Sequence, residues 1–207
     1  ILVFLDDDVI LPDDYIFNIL SALSGSDNTL GVGGSYEDEG SRNSKSWKKS
    51  LGRILGIYSD GKKNKILKSG WADYVREPFS NEITSADWLF GCNRAVKAEI
   101  FNDKRVKIET ELAKWSFLED VILGHRIVSV YGNCLKILPS LKVFHEPLST
   151  SGKISPETIR MRILYRFIFW KYELNLKSIH SIFLFSLGMI ANTILMFNQR
   201  PSLQTIY

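Results

Sequence analysis

Ile1-Leu2-Val3-Phe4-Leu5-Asp6-Asp7-Asp8-Val9 opens the chain, and its reading decides the fold. Five apolar residues followed by three aspartates are the pattern of a strand of a covered, parallel sheet that empties into a polar loop. A strand is therefore expected over residues 1–5. Two carboxylates about 4 Å apart repel by about 1 kcal/mol in water and about 4 kcal/mol near a protein surface, so three together need solvent or a cation. In open α/β sheets, ligands bind beyond the carboxyl ends of the strands, where this triplet falls. Hard oxygen donors select Mg2+ or Mn2+, and Mg2+ is typically held by one or two carboxylates plus substrate phosphates. The functional reading is a metal-diphosphate clamp. The competing reading is an acidic loop that caps the next helix, with Asp13 and Asp14 favourably placed against its dipole.

Working outward, Pro12 suits the first position of a helix whose apolar residues Tyr15, Ile16, Ile19, Leu20 and Leu23 recur at helical spacing, with Gly25 past its end. A strand near Leu30–Tyr36 follows, and the polar stretch from Glu37 to Ser50 reads as a surface loop. Ile83–Phe90 reads as a strand ending in Gly91-Cys92-Asn93, and a helix is expected from Ala95 to Phe101. Ser116-Phe117-Leu118-Glu119 has capping-box spacing ahead of a helix over 117–131 that stops at Gly132. A strand over Leu135–Phe144, interrupted at Pro139, completes an alternation that predicts an α/β domain over residues 1–150.

The composition narrows the class. The chain has 207 residues, 45% hydrophobic and 24% charged, which excludes a disordered or low-complexity protein. Two cysteines, Cys92 and Cys134, give no disulfide framework and no paired zinc signature, and suit a reducing compartment. The formal charge is only +3, so a nucleic-acid partner is not expected. That charge is localised. Residues 153–177 hold six basic residues against two acidic ones, a local +4 that leaves about −1 for the remainder. Tyr165, Phe167, Phe169, Trp170 and Tyr172 lie among these bases, a mixture that fits a helix at a lipid headgroup layer as well as a solvated, partly packed one. Ser178–Gln199 has no Asp, Glu, Lys or Arg over 22 residues. As a helix it would rise about 33 Å, so a membrane span, an interfacial segment and a buried partner helix are all open. The C-terminal part, residues 153–207, is expected to be helical and membrane-associated.

Three further groups carry chemistry. Glu119 is explained by the capping box, whereas Asp120, one residue further in, is not, and a helix N-terminus favours the ionised form that a base requires. His145 ends a strand before Glu146-Pro147, where a neutral imidazole can bind metal or phosphate or simply hydrogen-bond the fold. In Trp88-Leu89-Phe90-Gly91-Cys92-Asn93, Gly91 permits close backbone approach and Trp88 offers either a flat face for a sugar ring or a core side chain.

In order, FLDDDVILPDDYI, ADWLFGCNRAVKAEIF, FLEDVILGHRIVSVYG and VFHEPLSTSGK resemble segments of the family 2 glycosyltransferases, inverting enzymes of the GT-A fold. The resemblance covers residues 1–175 and points to bacterial transferases of the cell-surface polysaccharide or rhamnosyl type. It implies metal-dependent transfer of a sugar from a nucleotide-sugar donor to a hydroxyl of a glycan or lipid-linked acceptor at the cytoplasmic face of a membrane. Asp6 and Asp8 would be the outer members of the DxD motif, Asp6 reaching the nucleotide or sugar and Asp8 the divalent metal. Asp120 would be the general base and His145 a further metal or diphosphate ligand. Trp88, Gly91, Cys92 and Asn93 would line the donor and acceptor pocket, with Glu119 beside them. Tyr165-Arg166-Phe167 resembles a tyrosine- and arginine-bearing helix of such members, with Phe167 in place of the usual Asn.

Members of that family have a nucleotide-binding half before the DxD strand. The chain starts at that strand, so it is expected to be N-terminally truncated, to bind nucleotide sugar poorly and to turn over slowly or not at all. Two other readings stand beside the transferase. One is a catalytically inactive, membrane-associated paralogue. The other is a phosphatase resembling the haloacid dehalogenases, with Asp6 as nucleophile and Asp8 as acid/base.

Overall fold

The computed structural model describes residues 1–25, 28–37, 46–74, 82–110, 117–145, 156–176 and 178–197. Ser116 of the expected capping box and Ser155 lie outside them.

The chain is mixed α/β. Its main sheet contains β1 (Leu2–Leu5), β3 (Gly31–Gly33), β7 (Thr84–Ala86), β8 (Asn93–Val96) and β9 (Leu135–Ile137), in the order β1-β8-β3-β9-β7. Only β3 and β9 run parallel; the other neighbours are antiparallel. The parallel-sheet setting expected for residues 1–5 is thus corrected, since β1 pairs with β8 antiparallel in a mixed sheet. A smaller sheet joins β2 (Val9–Ile10), β10 (Val143–His145) and β4 (Tyr36–Glu37), and β5 (Lys65–Ile66) pairs with β6 (Ala72–Asp73).

The period-two alternation of strands sorts the core into two layers. Val96, Leu135 and Ile137 face Leu123 and Ile127 of α3 (Glu119–Tyr131). Val32 and Ala95, on the opposite face, meet Ile19 and Leu23 of α1 (Tyr15–Ser24). The sheet therefore lies between α1 and α3. Beyond the sheet, α2 (Ser46–Ile54), α4 (Pro156–Ile168) and α5 (Ile179–Phe197) complete the chain, and a π-helical turn, Phe169–Glu173, extends α4.

Several local expectations change. The strand expected over residues 1–5 forms over Leu2–Leu5, with half-exposed Leu2, Val3 and Leu5, because among the described residues β8 is its one neighbour. Pro12 does not open α1; its carbonyl accepts the Tyr15 amide one turn earlier. Residues 46–50, read as loop, belong to α2, whose Trp47, Leu51 and Ile54 recur at helical spacing within a basic sequence. Asn93–Val96, part of which was read as helix, is the buried strand β8, followed by a 3-10 turn over Ala98–Asn102. Here the pairing with β1 and β3 overrides local propensity. The 117–131 helix forms as α3 and ends as expected, with Gly132 at φ 75° donating its amide to the Val128 carbonyl.

Candidate functional site

The register of β1 with β8 pairs Leu5 with Asn93, so the chain leaves β1 at Asp6 where it enters β8 from Cys92. Asp7 and Asp8 turn into β2, whose Val9 pairs with His145 of β10. The aspartate turn thus lies beside both the Gly91-Cys92 loop and the backbone of His145. Asp6 and Asp7 are exposed and Asp8 is half-buried. The His145 side chain lies outside what the structure describes.

Asp120 enters from α3. Its Oδ1 accepts the Val121 amide at 2.8 Å and its Oδ2 accepts the Gly91 amide at 3.4 Å. A β-carbon on Gly91 would stand 3.8 Å from that of Asp120, so the loop and the first turn of α3 are in direct contact. The three acids converge electrostatically on Cys92. Burial first, then Asp6, with smaller contributions from Asp120 and Asp8, pushes its thiol up to about 12. At neutral pH the thiol is therefore neutral, and Cys92 is a packed wall residue rather than a nucleophile.

Burial raises the Asp120 carboxyl above the usual range, and Glu119 adds to this. Arg94 and the two amide hydrogen bonds oppose it. A carboxyl with a raised pKa holds a proton more readily than an exposed one, which suits general base work close to neutrality. The expectation that the helix N-terminus keeps Asp120 strongly ionised is therefore modified: desolvation is the largest influence on it.

The capping box places Glu119 third in its helix with Ser116, which lies outside the described residues, as partner, whereas Glu119 stands first in α3. It is preceded by Leu118 in the left-handed region at φ 74°, a residue whose side chain makes no capping hydrogen bond. Its Oε1 instead accepts Arg94 Nη2 at 3.2 Å. Arg94 is only 3% exposed; its guanidinium lies 4.7 Å above the Phe4 ring, and its Nε and Nη1 have no hydrogen-bond partner among the described residues. Sequence reasoning missed Arg94. The signal was an arginine directly before the apolar pair Ala95-Val96, whose charge calls for an acid to face it once the strand is buried.

The other expected pocket residues are interior. Asn93 is fully buried, accepts the Tyr15 hydroxyl at 2.8 Å and donates to the carbonyls of Leu141 at 2.6 Å and Ser35 at 3.2 Å. It clamps α1, β8 and the segment before β10 together rather than facing a ligand. Trp88 is 5% exposed, lies edge-on to Phe90 and donates its Nε1 to the Asp73 carbonyl at 3.2 Å. It is a core position and offers no open platform for a sugar.

The structure thus brings together Asp6, Asp8, Gly91, Cys92 and Asp120, with Glu119 tied to Arg94 at the margin. Among the described residues, no group of three or more His, Cys, Asp or Glu side chains is placed to hold a metal ion. Asp6 and Asp8, two residues apart in the turn, are hard oxygen donors of the kind Mg2+ takes together with water and phosphate. The chain matches no known protein-family model and no curated protein.

Proposed function

We propose that this chain carries the catalytic part of a glycosyltransferase resembling family 2, with a GT-A-like arrangement. The reaction is inverting transfer of a sugar from a nucleotide-sugar donor to an acceptor hydroxyl in surface polysaccharide or glycan synthesis. One observation supports this most strongly: the Asp6–Asp8 turn and Asp120, 112 residues apart in sequence, meet at the Gly91-Cys92 loop.

In this reading Asp120 accepts the proton of the attacking hydroxyl, and its raised pKa favours that role over simple ion pairing. Asp8, with Asp6 next to it and His145 as a further ligand, would hold Mg2+ or Mn2+. The ion, when bound, supplies charge neutralisation for the departing nucleoside diphosphate. Gly91, with no side chain, lets substrate approach the Asp120 carboxyl along the backbone. Glu119 is engaged by Arg94, so no second carboxylate nucleophile is assigned and a single displacement follows. The phosphatase reading finds less support, because its later acidic pair should follow a strand whereas Glu119 and Asp120 open α3.

The test separates the two carboxylate roles. Asp8→Asn is expected to weaken Mn2+ and nucleoside-diphosphate binding at least about tenfold. Asp120→Asn is expected to leave that binding within about twofold while lowering release of nucleoside diphosphate from nucleotide sugar about 100-fold or more. Measurable turnover that is equal in wild type and Asp120→Asn would refute the assignment, as would steady phosphate release from an aryl phosphate.

A further inference from the structure

Helix α4 carries Arg162 and Arg166 four residues apart, a spacing that brings both side chains onto one face. They meet at a single ring. The guanidinium carbon of Arg162 lies 5.5 Å from the centre of the Phe117 ring, and that of Arg166 lies 5.3 Å from it. Arg166 is 9% exposed and lies 4.5 Å from the centre of the Trp71 ring as well. Two rings thus hold its guanidinium, while its Nε has no hydrogen-bond partner among the described residues.

A charge buried beside a like charge is costly. Burial first, and then Arg162, lower the Arg166 pKa to about 10, and among the described residues no carboxylate acts against them. Both guanidiniums remain charged at neutral pH. Contacts with aromatic rings return only a fraction of what a cation loses in leaving water, because a ring attracts it far less than an anion does. Other buried arginines of the fold are matched with acids: Arg94 meets Glu119, and Arg126 meets both Glu109 and Glu173. Arg166 meets a second arginine instead. Paired guanidiniums present the forked N–H donors that bind phosphate oxygens.

The pair borders the acid site. Phe117 packs against the cluster that holds Phe90 and Cys92, the residues on either side of Gly91. It also leads through Leu118 into the first turn of α3, where Glu119 and Asp120 stand. Arg162 and Phe117 are half-buried, so an anion has a way to the pair from solvent. The two acidic and basic groups differ in what they need. The Asp6–Asp8 turn meets a phosphate only through a cation, whereas two guanidiniums bind one directly.

We infer that Arg162 and Arg166 form a metal-independent site for a phosphate or diphosphate group at the edge of the acid site. Assigning that group to a substrate rests on the sugar-transfer reading; the binding itself does not. The probe is inorganic pyrophosphate, titrated by calorimetry into the full chain with EDTA present and ionic strength matched by NaCl. Wild type is expected to bind it, and Arg162→Gln and Arg166→Met each to bind at least about tenfold more weakly. Arg162→Gln, at a half-buried position, keeps the test decisive whatever Arg166→Met does to folding. Asp8→Asn should bind as wild type does, so failure of the metal clamp and failure of this site give different results. Arg160→Gln, at an exposed position of the same helix, should leave binding unchanged. Displacement of pyrophosphate by a nucleoside diphosphate assigns the site to the donor, and displacement by geranyl diphosphate alone assigns it to a lipid-linked acceptor. The proposal is overturned by absence of pyrophosphate binding in wild type, or by equal affinity in wild type and Arg162→Gln. Equal loss in Arg160→Gln also overturns it, since that marks a diffuse basic surface.

Discussion

Asn93 shows at the scale of one residue what the sequence could not. Its position after Gly91-Cys92 suggests a ligand contact, yet its amide is fully used by Tyr15, Ser35 and Leu141. Asn93→Ala would remove a hydrogen-bond partner from the Tyr15 hydroxyl and the Leu141 carbonyl, while the Ser35 carbonyl keeps the Val143 amide, and is expected to cost about 2–3 kcal/mol in urea unfolding. Asp120 behaves in the opposite sense. Burial raises its pKa in the folded state, so folding favours its protonated form, and the charged form is a cost at neutral pH. Asp120→Asn should therefore raise the melting temperature at pH 7 while removing turnover. Arg94 pulls the Asp120 pKa down, so Arg94→Met should move the acid limb of the pH–rate profile to higher pH. Cys92 and Tyr15 are both pushed up to about 12, from 9.0 and 10.0, chiefly by burial. The stability they contribute is complete below about pH 9 and is lost as pH rises toward 12, which alkaline unfolding measured in wild type and Cys92→Ala will show as a narrower loss in the variant.

Among the elements, α3 does most to build the site, and its seat depends on one close approach. A β-carbon on Gly124 would stand 2.5 Å from the Trp88 backbone and 2.8 Å from the Asp87 carbonyl, neither of which can give way as a side chain end would. Gly124→Ala should therefore destabilise the fold by about 2–3 kcal/mol and lift the first turn of α3 away from Gly91, lowering turnover as well. The helix itself was legible from Val121, Ile122, Ile127 and Val128 and from Gly132, because its apolar period and its stop are local signals. Its first turn was not. Ser116 and Glu119 satisfied a local pattern completely, and the ion pair that actually engages Glu119 reaches back 25 residues to Arg94. The same limit explains β8. Ala95-Val96-Lys97-Ala98 has fair helical propensity on its own, and only pairing on both sides with β1 and β3 draws Ala95 and Val96 into a strand, with Ala98 opening the 3-10 turn.

At the scale of the whole molecule, the Asp6–Asp8 turn at the end of β1 meets the first turn of α3 at the Gly91-Cys92 loop. The convergence of Asp6, Asp8 and Asp120 was legible in outline, since each follows or opens an element whose period could be read. The mixed direction of the sheet was not, because a short, buried apolar run looks alike in parallel and antiparallel neighbours. The central claim is that the aspartate turn binds a divalent metal with a nucleoside diphosphate, next to a base that takes no part in that binding. The most direct measurement is calorimetric titration of Mn2+ and nucleoside diphosphate into wild type, Asp8→Asn and Asp120→Asn. The account predicts binding that requires both ligands together, is lost in Asp8→Asn and is kept in Asp120→Asn. Binding of equal strength in wild type and Asp8→Asn, or none in wild type, would contradict it.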